Sequence, residues 1–497
     1  MEENPTPVPS FGHRKSLILS AEGAVQGEEA IVGGGRTETG YGLDHVLLCE
    51  VPNLSAVFPS AGTPNKEITR NSQGEPTLYN KLLGDKDCII YEHVRDPKKP
   101  PTAKAFLRAG PRPTLHFDPK TVRAAIVTCG GLCPGLNSVI HHLVTTLCRI
   151  YGAEKVFGIR GGYSGFYDKS KPPMELTPEA VEQLQHQPGS ILGSSRGGFN
   201  LEQIMAFITE NQVNQVFIIG GDGTHRGANR IALTVLQQAS CSPCMCAGLN
   251  VSVAGIPKTI DNDLDLVDRS FGFLTAVEAA QQAIQSAVVE AKCNLPNGIG
   301  VVKLMGRSAG YIAAYATLAS GDVDLCLIPE TRIVLEGPKG CLPHLMKRVQ
   351  EKGYAVVVVA EGAGEELLGT STTVDASGNK TLPAIGHYMK ERIEEYYRKN
   401  DCPCTVKYID PSYMIRSVAA NSFDQIYCMQ LAQNAVHGTM AGYTAFSAAL
   451  VNNRTVYLPI TDLVENSPRS LSKHGRTWER VLTITRQPNT EDNNGGN

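Results

Sequence analysis

From Val122 onward, short apolar runs end in glycine turns and lead into segments where apolar residues recur every three or four positions. That alternation of strand, turn and amphipathic helix predicts a parallel sheet covered on both faces, an α/β protein. The first unit, VRAAIVTCGGLCPGLNSVIHHLVTTL, reads as a strand to Thr128, a glycine turn, and a helix burying Val139, Ile140, Leu143, Val144 and Leu147. NQVFIIGGDGTHRGANRIALTVLQQ repeats the plan, with Ala228, Ile231, Ala232, Val235 and Leu236 as its apolar stripe. Strands also fit VSVAGIP, GIGVVKLMG, LCLIPE and YAVVVVAEG. The loops that follow such strands gather at the carboxyl edge of a sheet, where open α/β folds bind ligands.

Residues 1 to 115 lack this pattern: they are rich in Gly, Pro and polar residues, and their apolar pieces SLIL and HVLLCEV hold no period. They are expected to form an N-terminal extension that wraps or regulates a core. At 497 residues the chain exceeds one ordinary core, so two domains with a cleft between them are expected.

With 42% hydrophobic and 19% charged residues and a formal net charge of -3, the chain gives no electrostatic reason to expect nucleic acid or an anionic membrane as partner. No apolar stretch reaches bilayer length, and the opening MEENPTPVPSFGHRK is acidic and proline-bearing, unlike a leader, so a cytoplasmic protein is expected. Fourteen scattered cysteines suit free thiols in a reducing compartment. The run CSPCMC, Cys241 to Cys246, could join Cys402 and Cys404 of CPC on zinc, but no second pair has finger-like spacing and no histidine accompanies it. A surface loop of free thiols is the expectation, a redox switch the lesser alternative.

In GGDGT, Gly220 to Thr224, glycines let the backbone approach a polyphosphate, and the amides of the following helix terminus favour its charge. Asp222 beside phosphates requires a divalent cation between them, so it reads as a Mg²⁺ ligand, while Thr224 donates to a phosphate oxygen. Taken alone, the motif is better explained by a tight turn whose aspartate caps the helix. In PKTIDND, Asp261 and Asp263 alternate, and an extended chain would send both into one site. One carboxylate then holds Mg²⁺ while the other takes a proton from an attacking hydroxyl, as phosphoryl transfer requires. Helix capping accounts for Asp265 and Asp268.

GGDGT, PKTIDND, VVKLMGRSAG, VVVVAEG and YIDPSYMIR, in this order, resemble the 6-phosphofructokinase family from about Thr121 to the C-terminus. CGGLCPG and KYIDPSYMIR are similar to its plant and trypanosomatid ATP-using branch. The resemblance implies two Rossmann-like three-layer domains that exchange segments. Residues 116–272 and 416–464 would bind ATP and residues 273–415 and 465–490 fructose 6-phosphate, with 491–497 as a tail. It also implies Mg²⁺-dependent phosphorylation of the sugar 1-hydroxyl and a homo-oligomer, dimer or tetramer. By position, Asp261 resembles the general base, Asp222 and Asp263 the Mg²⁺ groups, and Thr259 a residue orienting the sugar or the phosphoryl group. Gly131, Arg196 and the Gly221, Asp222, Gly223, Thr224 turn would meet the nucleotide. Met305, Gly306, Arg307 and Glu361 would line the sugar, with Arg307 also serving the reaction, and Tyr413, Arg416 and Lys407 would hold the 6-phosphate.

The phosphoryl donor has two conflicting signals. Gly223 stands where pyrophosphate enzymes carry an aspartate that would repel the α-phosphate of a nucleotide, and so favours ATP. Lys258, whose ammonium neutralises a transferring phosphoryl group, is the residue of the pyrophosphate enzymes. Room for the nucleotide is a steric requirement, so ATP is expected. Gly298 and Lys407 occupy positions where short bacterial members reach the sugar phosphate of a neighbouring subunit with arginines, and the basic bacterial effector site finds no match. The rival readings are a pyrophosphate-dependent enzyme and a non-catalytic regulatory subunit; intact Asp222, Asp261 and Asp263 argue against the latter. Lipid and NAD kinases share GGDGT but do not explain PKTIDND with YMIR.

Overall fold

The computed structural model describes residues 16–17, 45–65, 82–94, 102–240, 249–369 and 382–490. The Cys241 to Cys246 run lies outside them. Five strands of the larger sheet run parallel in the spatial order Lys155–Ile159, Arg123–Thr128, Gln215–Gly220, Ser252–Pro257, Phe446–Val451. Their apolar runs are buried on both faces, Ala124 to Val127 and Val216 to Ile219 completely, which is why they read as continuous rather than alternating. The chain starts on Arg123–Thr128, steps to one side for Lys155–Ile159, then crosses back to fill the other side. The direction of winding therefore reverses between Arg123–Thr128 and Gln215–Gly220, and the loops leaving these neighbours splay apart into a crevice.

The two predicted stripes are the buried faces of helices. Val139, Ile140, Leu143, Val144 and Leu147 are all enclosed, the first four on helix Leu136–Thr145 and Leu147 in the wider turn Thr146–Tyr151. Ala228, Ile231, Ala232 and Val235 are enclosed on helix Asp222–Ser240, and Leu236 is partly so. Helix Ser422–Met440 packs against the first of these helices, and a Cβ on Gly135 would come within 2.6 Å of its Cys428 sulfur. Gly135 also holds a φ of 97°, so the turn into that helix requires glycine twice over.

Beyond Phe446–Val451 the sheet turns antiparallel. Asn452 and Asn453, at φ 48° and 58°, make a two-residue hairpin into Arg454–Pro459. Thr102–Arg108 pairs antiparallel with that strand, and His45–Cys49 and Cys88–Val94 flank Thr102–Arg108. The segment expected as a separate N-terminal extension thus adds His45–Cys49, Cys88–Val94 and Thr102–Arg108 to the large sheet, while Thr63–Pro64 and Thr114–Leu115 pair in a small sheet of their own. In TAKAFLR the buried positions are two alanines and an adjacent Phe106 and Leu107, too short and irregular a signal for a period to show.

The second sheet has four parallel strands in the order Leu325–Leu327, Tyr354–Ala360, Gly298–Leu304, Thr405–Ile409. Helices Phe273–Cys293 and Tyr311–Ser320 cover one face, and Cys341–Lys352 and Ile385–Lys399 the other. The C-terminal helix Arg476–Thr485 returns to pack on Tyr311–Ser320. One apolar cluster runs from Ile126 and Phe271 of the first layer system to Val302 and Val358 of the second, so the carboxyl edges of the two sheets are held in a fixed relation.

Candidate active site

The glycine turn after Arg123–Thr128 is stitched to a distant loop. Gly130 donates its amide to the Ser195 carbonyl at 2.8 Å, and Ser194 Oγ donates to the Gly130 carbonyl at 2.6 Å. These bonds bring Arg196 to the turn. From the smaller sheet's side Arg416 arrives at the same place: a Cβ on Gly131 would lie 3.8 Å from a terminal nitrogen of each guanidinium. Lys258 reaches the turn from strand Ser252–Pro257, donating Nζ to the Gly131 carbonyl at 2.7 Å. A Cβ on Gly130 would sit 3.0 Å from that ammonium, so the missing side chain makes room for the cation. Lys258 is enclosed, and burial pulls its pKa below the usual lysine range.

At the neighbouring turn, helix Asp222–Ser240 begins directly on the aspartate of GGDGT. Its first amides therefore open toward the crevice. Thr224 lies over Gly220, where a Cβ would come within 2.5 Å of its side chain, and Tyr163 Oη donates to the Thr224 carbonyl at 2.7 Å. Gly223 is exposed, and a Cβ there meets nothing within 4 Å. The room it leaves is open crevice rather than a packing requirement. Asp222 keeps a long 3.9 Å contact with Arg226 one turn on.

The expectation that Asp261 and Asp263 lie together on an extended chain is corrected by the backbone. Asn262 between them takes a φ of 57°, and the segment is a turn, pinned by Ser270 amide donation to Asn262 Oδ1 at 2.9 Å. The two carboxylates nevertheless stay within electrostatic reach. Thr259 Oγ1 donates to Asp263 Oδ1 at 2.6 Å and accepts from the Asp261 amide at 3.2 Å. Asp261 Oδ1 is buried without a hydrogen-bond partner. Burial first, then the charges of Asp263 and Glu361, push the Asp261 pKa up to about 7, against the pull of Arg196 and Lys258. Burial likewise raises Asp263, opposed by the Thr259 bond and reinforced by Asp222.

Asp265 and Asp268 do not cap a helix. The Asp265 amide donates to Ser467 Oγ, and the Asp268 carboxylate accepts the amides of Asn452 and Asn453 at 3.0 and 2.7 Å, capping the hairpin. Of the four acidic residues, two face the crevice chemistry and one builds its frame.

Across the cleft, three adjacent strands of the smaller sheet deliver the remaining residues. Met305, Gly306 and Arg307 follow Gly298–Leu304, Glu361 follows Tyr354–Ala360, and Tyr413 and Arg416 lie in the short helix Ser412–Arg416 after Thr405–Ile409. Gly306, at φ 128°, has no space for a Cβ, which would fall 2.5 Å from the Ala309 carbonyl, and it accepts the Gly362 amide at 3.1 Å. Burial raises Glu361, with Lys303, Arg307 and Arg416 countering. Arg416 Nε is buried without a hydrogen-bond partner, a donor held ready for an anion. Its guanidinium stacks 4.8 Å from the centre of the Tyr413 ring, which is itself 74% exposed. Met305 packs on the shared core. Lys407 stands back from this group: it is in register with Gly300, three residues before Lys303 along the neighbouring strand.

Three contributors escaped the sequence reading. Lys303, 2.8 Å from Asp410, is the cation that acts most strongly on Glu361; its signal was a charge inside the apolar run GIGVVKLMG. Ser270 Oγ donates to the Thr259 carbonyl at 2.5 Å. Arg469 donates its amide to the Asp263 carbonyl at 2.6 Å and its Nε to the Asn262 carbonyl at 3.3 Å, bracing the turn from the far end of the chain, where no local pattern marks it.

The donor set suits a hard divalent cation. Asp222 and Asp263 act on each other as like charges, so a cation shared by them relieves both, and Mg²⁺ takes one or two carboxylates with phosphate oxygens completing its shell. No group of three His, Cys, Asp or Glu residues forms a cage among the described residues.

A crevice at a switch of winding direction, with helix amides and cations on one wall, a carboxylate poised near neutrality, and guanidinium groups on the other wall, has the chemistry of a phosphoryl-transfer site. The chain matches the model of the phosphofructokinase family over residues 123–439 and belongs to that family. It is 45% identical over 445 residues to ATP-dependent 6-phosphofructokinase 7 of Arabidopsis thaliana, covering 89% of each chain. It is 41% identical over 440 residues to the ATP-dependent 6-phosphofructokinase of Trypanosoma brucei brucei, covering 86% of each. The fold is shared with phosphofructokinase from Saccharomyces cerevisiae, at TM-score 0.60 and 21% identity over 73% of this chain and 50% of that one. It is shared equally with a pyrophosphate-dependent phosphofructokinase from Marinobacter aquaeolei, at TM-score 0.60 and 19% identity over 75% and 94%.

Proposed function

We infer that this chain is an ATP-dependent 6-phosphofructokinase, transferring the γ-phosphoryl group of ATP to the 1-hydroxyl of fructose 6-phosphate. The observation that carries the reading is Asp261: a half-buried residue whose Oδ1 is enclosed without a partner and whose pKa is pushed up to about 7, set between a glycine-turn wall and a guanidinium wall. In this reading Asp261 takes the proton from the sugar hydroxyl as the hydroxyl attacks. Lys258 and Arg196 face the charge that gathers on the moving phosphoryl group, and Gly131 and the Gly221 to Thr224 turn hold the nucleotide phosphates. Thr259, Met305, Gly306, Arg307 and Glu361 orient the sugar, and Arg416 with Tyr413 receives its 6-phosphate. Mg²⁺, when bound by Asp222 and Asp263, neutralises phosphate charge.

Gly223 supports ATP, because its open surroundings leave space for an α-phosphate. Lys258 is the one feature that favours pyrophosphate, and its hydrogen bond to the Gly131 carbonyl suits it to serve transfer from either donor. The two sheets with their covering helices are proposed as the ATP and sugar domains. A homo-oligomer is proposed as well, since the exposed Tyr413 calls for a covering surface beside the 6-phosphate. No described helix is long and apolar enough to cross a membrane, and we place the reaction in the cytoplasm, although two relatives are named as chloroplastic.

The test is fructose 1,6-bisphosphate formation from fructose 6-phosphate and Mg²⁺ with ATP and pyrophosphate side by side. Turnover with ATP alone is expected. Turnover with pyrophosphate alone would overturn the donor, and turnover with neither in folded protein would leave the regulatory-subunit reading in its place.

A further inference from the structure

Every residue of strand Gly298–Leu304 is buried except Lys303, whose side chain is 20% exposed. An ammonium set into such a run costs free energy unless it is paired, and the register of the smaller sheet shows what pairs it. Lys303 lies opposite Val359 on one neighbouring strand, and Val302 lies opposite Ile409 on the other. Residues in register, and residues two apart along a strand, share one face of a sheet. That pattern sets Glu361, two places past Val359, on one side of Lys303, and Asp410, next after Ile409, on the other. The carboxyl edge therefore carries a row of carboxylate, ammonium and carboxylate, drawn from three adjacent strands.

The two carboxylates lead to different parts of the cleft. Lys303 Nζ takes Asp410 Oδ2 at 2.8 Å, while Asp410 Oδ1 accepts the Ser412 amide at 3.1 Å and the Ser412 hydroxyl at 2.6 Å. Ser412 opens the helix Ser412–Arg416, which carries Tyr413 and ends on Arg416. A helix of 5 residues has too few internal hydrogen bonds to fix its own direction, so it depends on the Asp410 anchor, and Asp410 on Lys303. On the other side stands Glu361, which burial pushes up from the usual carboxylate range. Lys303 opposes that shift most strongly, followed by Arg307 and Arg416, whereas Asp410 reinforces it. Asp261 faces Glu361 from the catalytic turn as a like charge. Without Lys303, Asp410 would lose its partner, and Glu361 would face two carboxylates with one cation fewer.

We propose that Lys303 is a positioning residue that joins the two ends of the sugar site: through Asp410 it aims the helix bearing Arg416, and beside Glu361 it keeps that carboxylate available as an acceptor. This rests on the assignment of Arg416 to the 6-phosphate and of Glu361 to the sugar hydroxyls. Loss of the one ammonium then weakens both ends together, while the nucleotide wall, on the other sheet, is spared.

The test compares wild type, Lys303→Met, Asp410→Asn and the double variant, by initial rates and by calorimetric titration of fructose 6-phosphate without nucleotide or metal. Methionine fills the space of the lysine stem without its charge, and Lys303→Gln gives the same comparison if methionine is not accommodated. Lys303→Met should raise both KM and Kd for fructose 6-phosphate by about tenfold, the lower end for a hydrogen bond between charged groups. The kcat and the KM for ATP should hold, the signature of lost ground-state binding. Asparagine at 410 keeps an acceptor for Ser412 and removes a like charge from Glu361, so the double variant should bind the sugar phosphate more tightly than Lys303→Met alone. The ratio of Kd between Lys303→Met and wild type should also narrow as pH rises, since Glu361 ionises in both once the pH is high enough. Equal Kd in wild type and Lys303→Met, a fall in kcat with KM unmoved, a ratio flat with pH, or a double variant weaker than Lys303→Met would each overturn the proposal. Wild type that itself fails to bind fructose 6-phosphate would instead remove the sugar-site assignment, and the proposal with it.

Discussion

Replacing Asp261 by asparagine should make the protein more stable and nearly inactive, and the size and pH dependence of the gain follow from the site. The carboxyl titrates near 7 in the fold because it is buried between Asp263 and Glu361, against an ordinary value of 3.8. A raised carboxyl pKa means that the folded state holds its proton after the unfolded chain has lost it. Stability is therefore undiminished below about pH 4, falls as pH rises to 7, and stays reduced above. The full shift corresponds to about 4 kcal/mol as an upper limit, and solvent in the cleft reduces it to about 1–3 kcal/mol. Asparagine has nothing to ionise, so the variant should match the wild type at pH 4 and exceed it at pH 8, with a thermal midpoint higher by about 1–3 °C. Thermal melts at half-unit pH steps, without nucleotide or metal, give the curve. Rates should drop about 10²–10⁴-fold, the ordinary contribution of a general base, and wild-type kcat/KM should fall below pH 7 as the base takes up its proton. A stability difference of the same size at pH 4 and pH 8 would refute the burial argument, and a variant within tenfold of wild-type rate would remove Asp261 from proton transfer.

Gly223→Asp meets no protein atom at its Cβ, so it should fold normally and lose far more activity with ATP than with pyrophosphate; equal losses in parallel assays would contradict the steric account of donor choice. Arg416→Ala removes a buried donor aimed at the sugar phosphate, and the KM for fructose 6-phosphate should rise by more than about 30-fold, read from initial rates at saturating ATP. Ser270→Ala frees the Thr259 carbonyl and should lower kcat about 3–10-fold with an unchanged circular dichroism spectrum, whereas an unaltered kcat would show that the catalytic turn holds itself. Gly298→Arg, which would install the basic residue of short bacterial relatives, places a Cβ 2.0 Å from the Ala291 carbonyl, and soluble expression should fail.

How much of this was legible in the chain depends on the range of the interaction. Elements with a sustained period could be read directly: the helix stripes of Val139 to Leu147 and Ala228 to Val235, and strands buried on both faces such as Ile126 and Phe217. The GGDGT and PKTIDND turns could be read because residue type alone limits what glycines and paired carboxylates can do next to a strand end. The shape of the second turn was not legible, since φ 57° at Asn262 is imposed by Ser270, eight residues away, and by Arg469, near the end of the chain. Asp268 was misread for the same reason: its targets, the amides of Asn452 and Asn453, come from a hairpin nearly two hundred residues on. The N-terminal strands were missed because Thr102–Arg108, an interior strand, buries two alanines and two adjacent larger residues and so shows no period.

Burial raises the pKa of three carboxylates in the cleft, Asp261, Asp263 and Glu361. Each is thus held in surroundings that disfavour its charged form, the form the proposed reaction uses. The buried and lowered Lys258 and the unpartnered Arg416 Nε are the cationic counterpart of the same condition. A folded chain that gathers half-buried charges of both signs in one cleft, with too few internal bonds to satisfy them, is poised for ligands that carry the missing charges: a cation for the carboxylates, phosphates for Lys258 and Arg416. Binding then relieves desolvation already present in the fold, and stability should climb with ligand concentration more steeply when nucleotide, metal and sugar phosphate are added together than the separate increments add up to. The strain that lowers the stability of the unliganded chain and the electrostatic preorganisation for phosphoryl transfer are therefore one arrangement, and a substitution that relaxes the first should weaken the second.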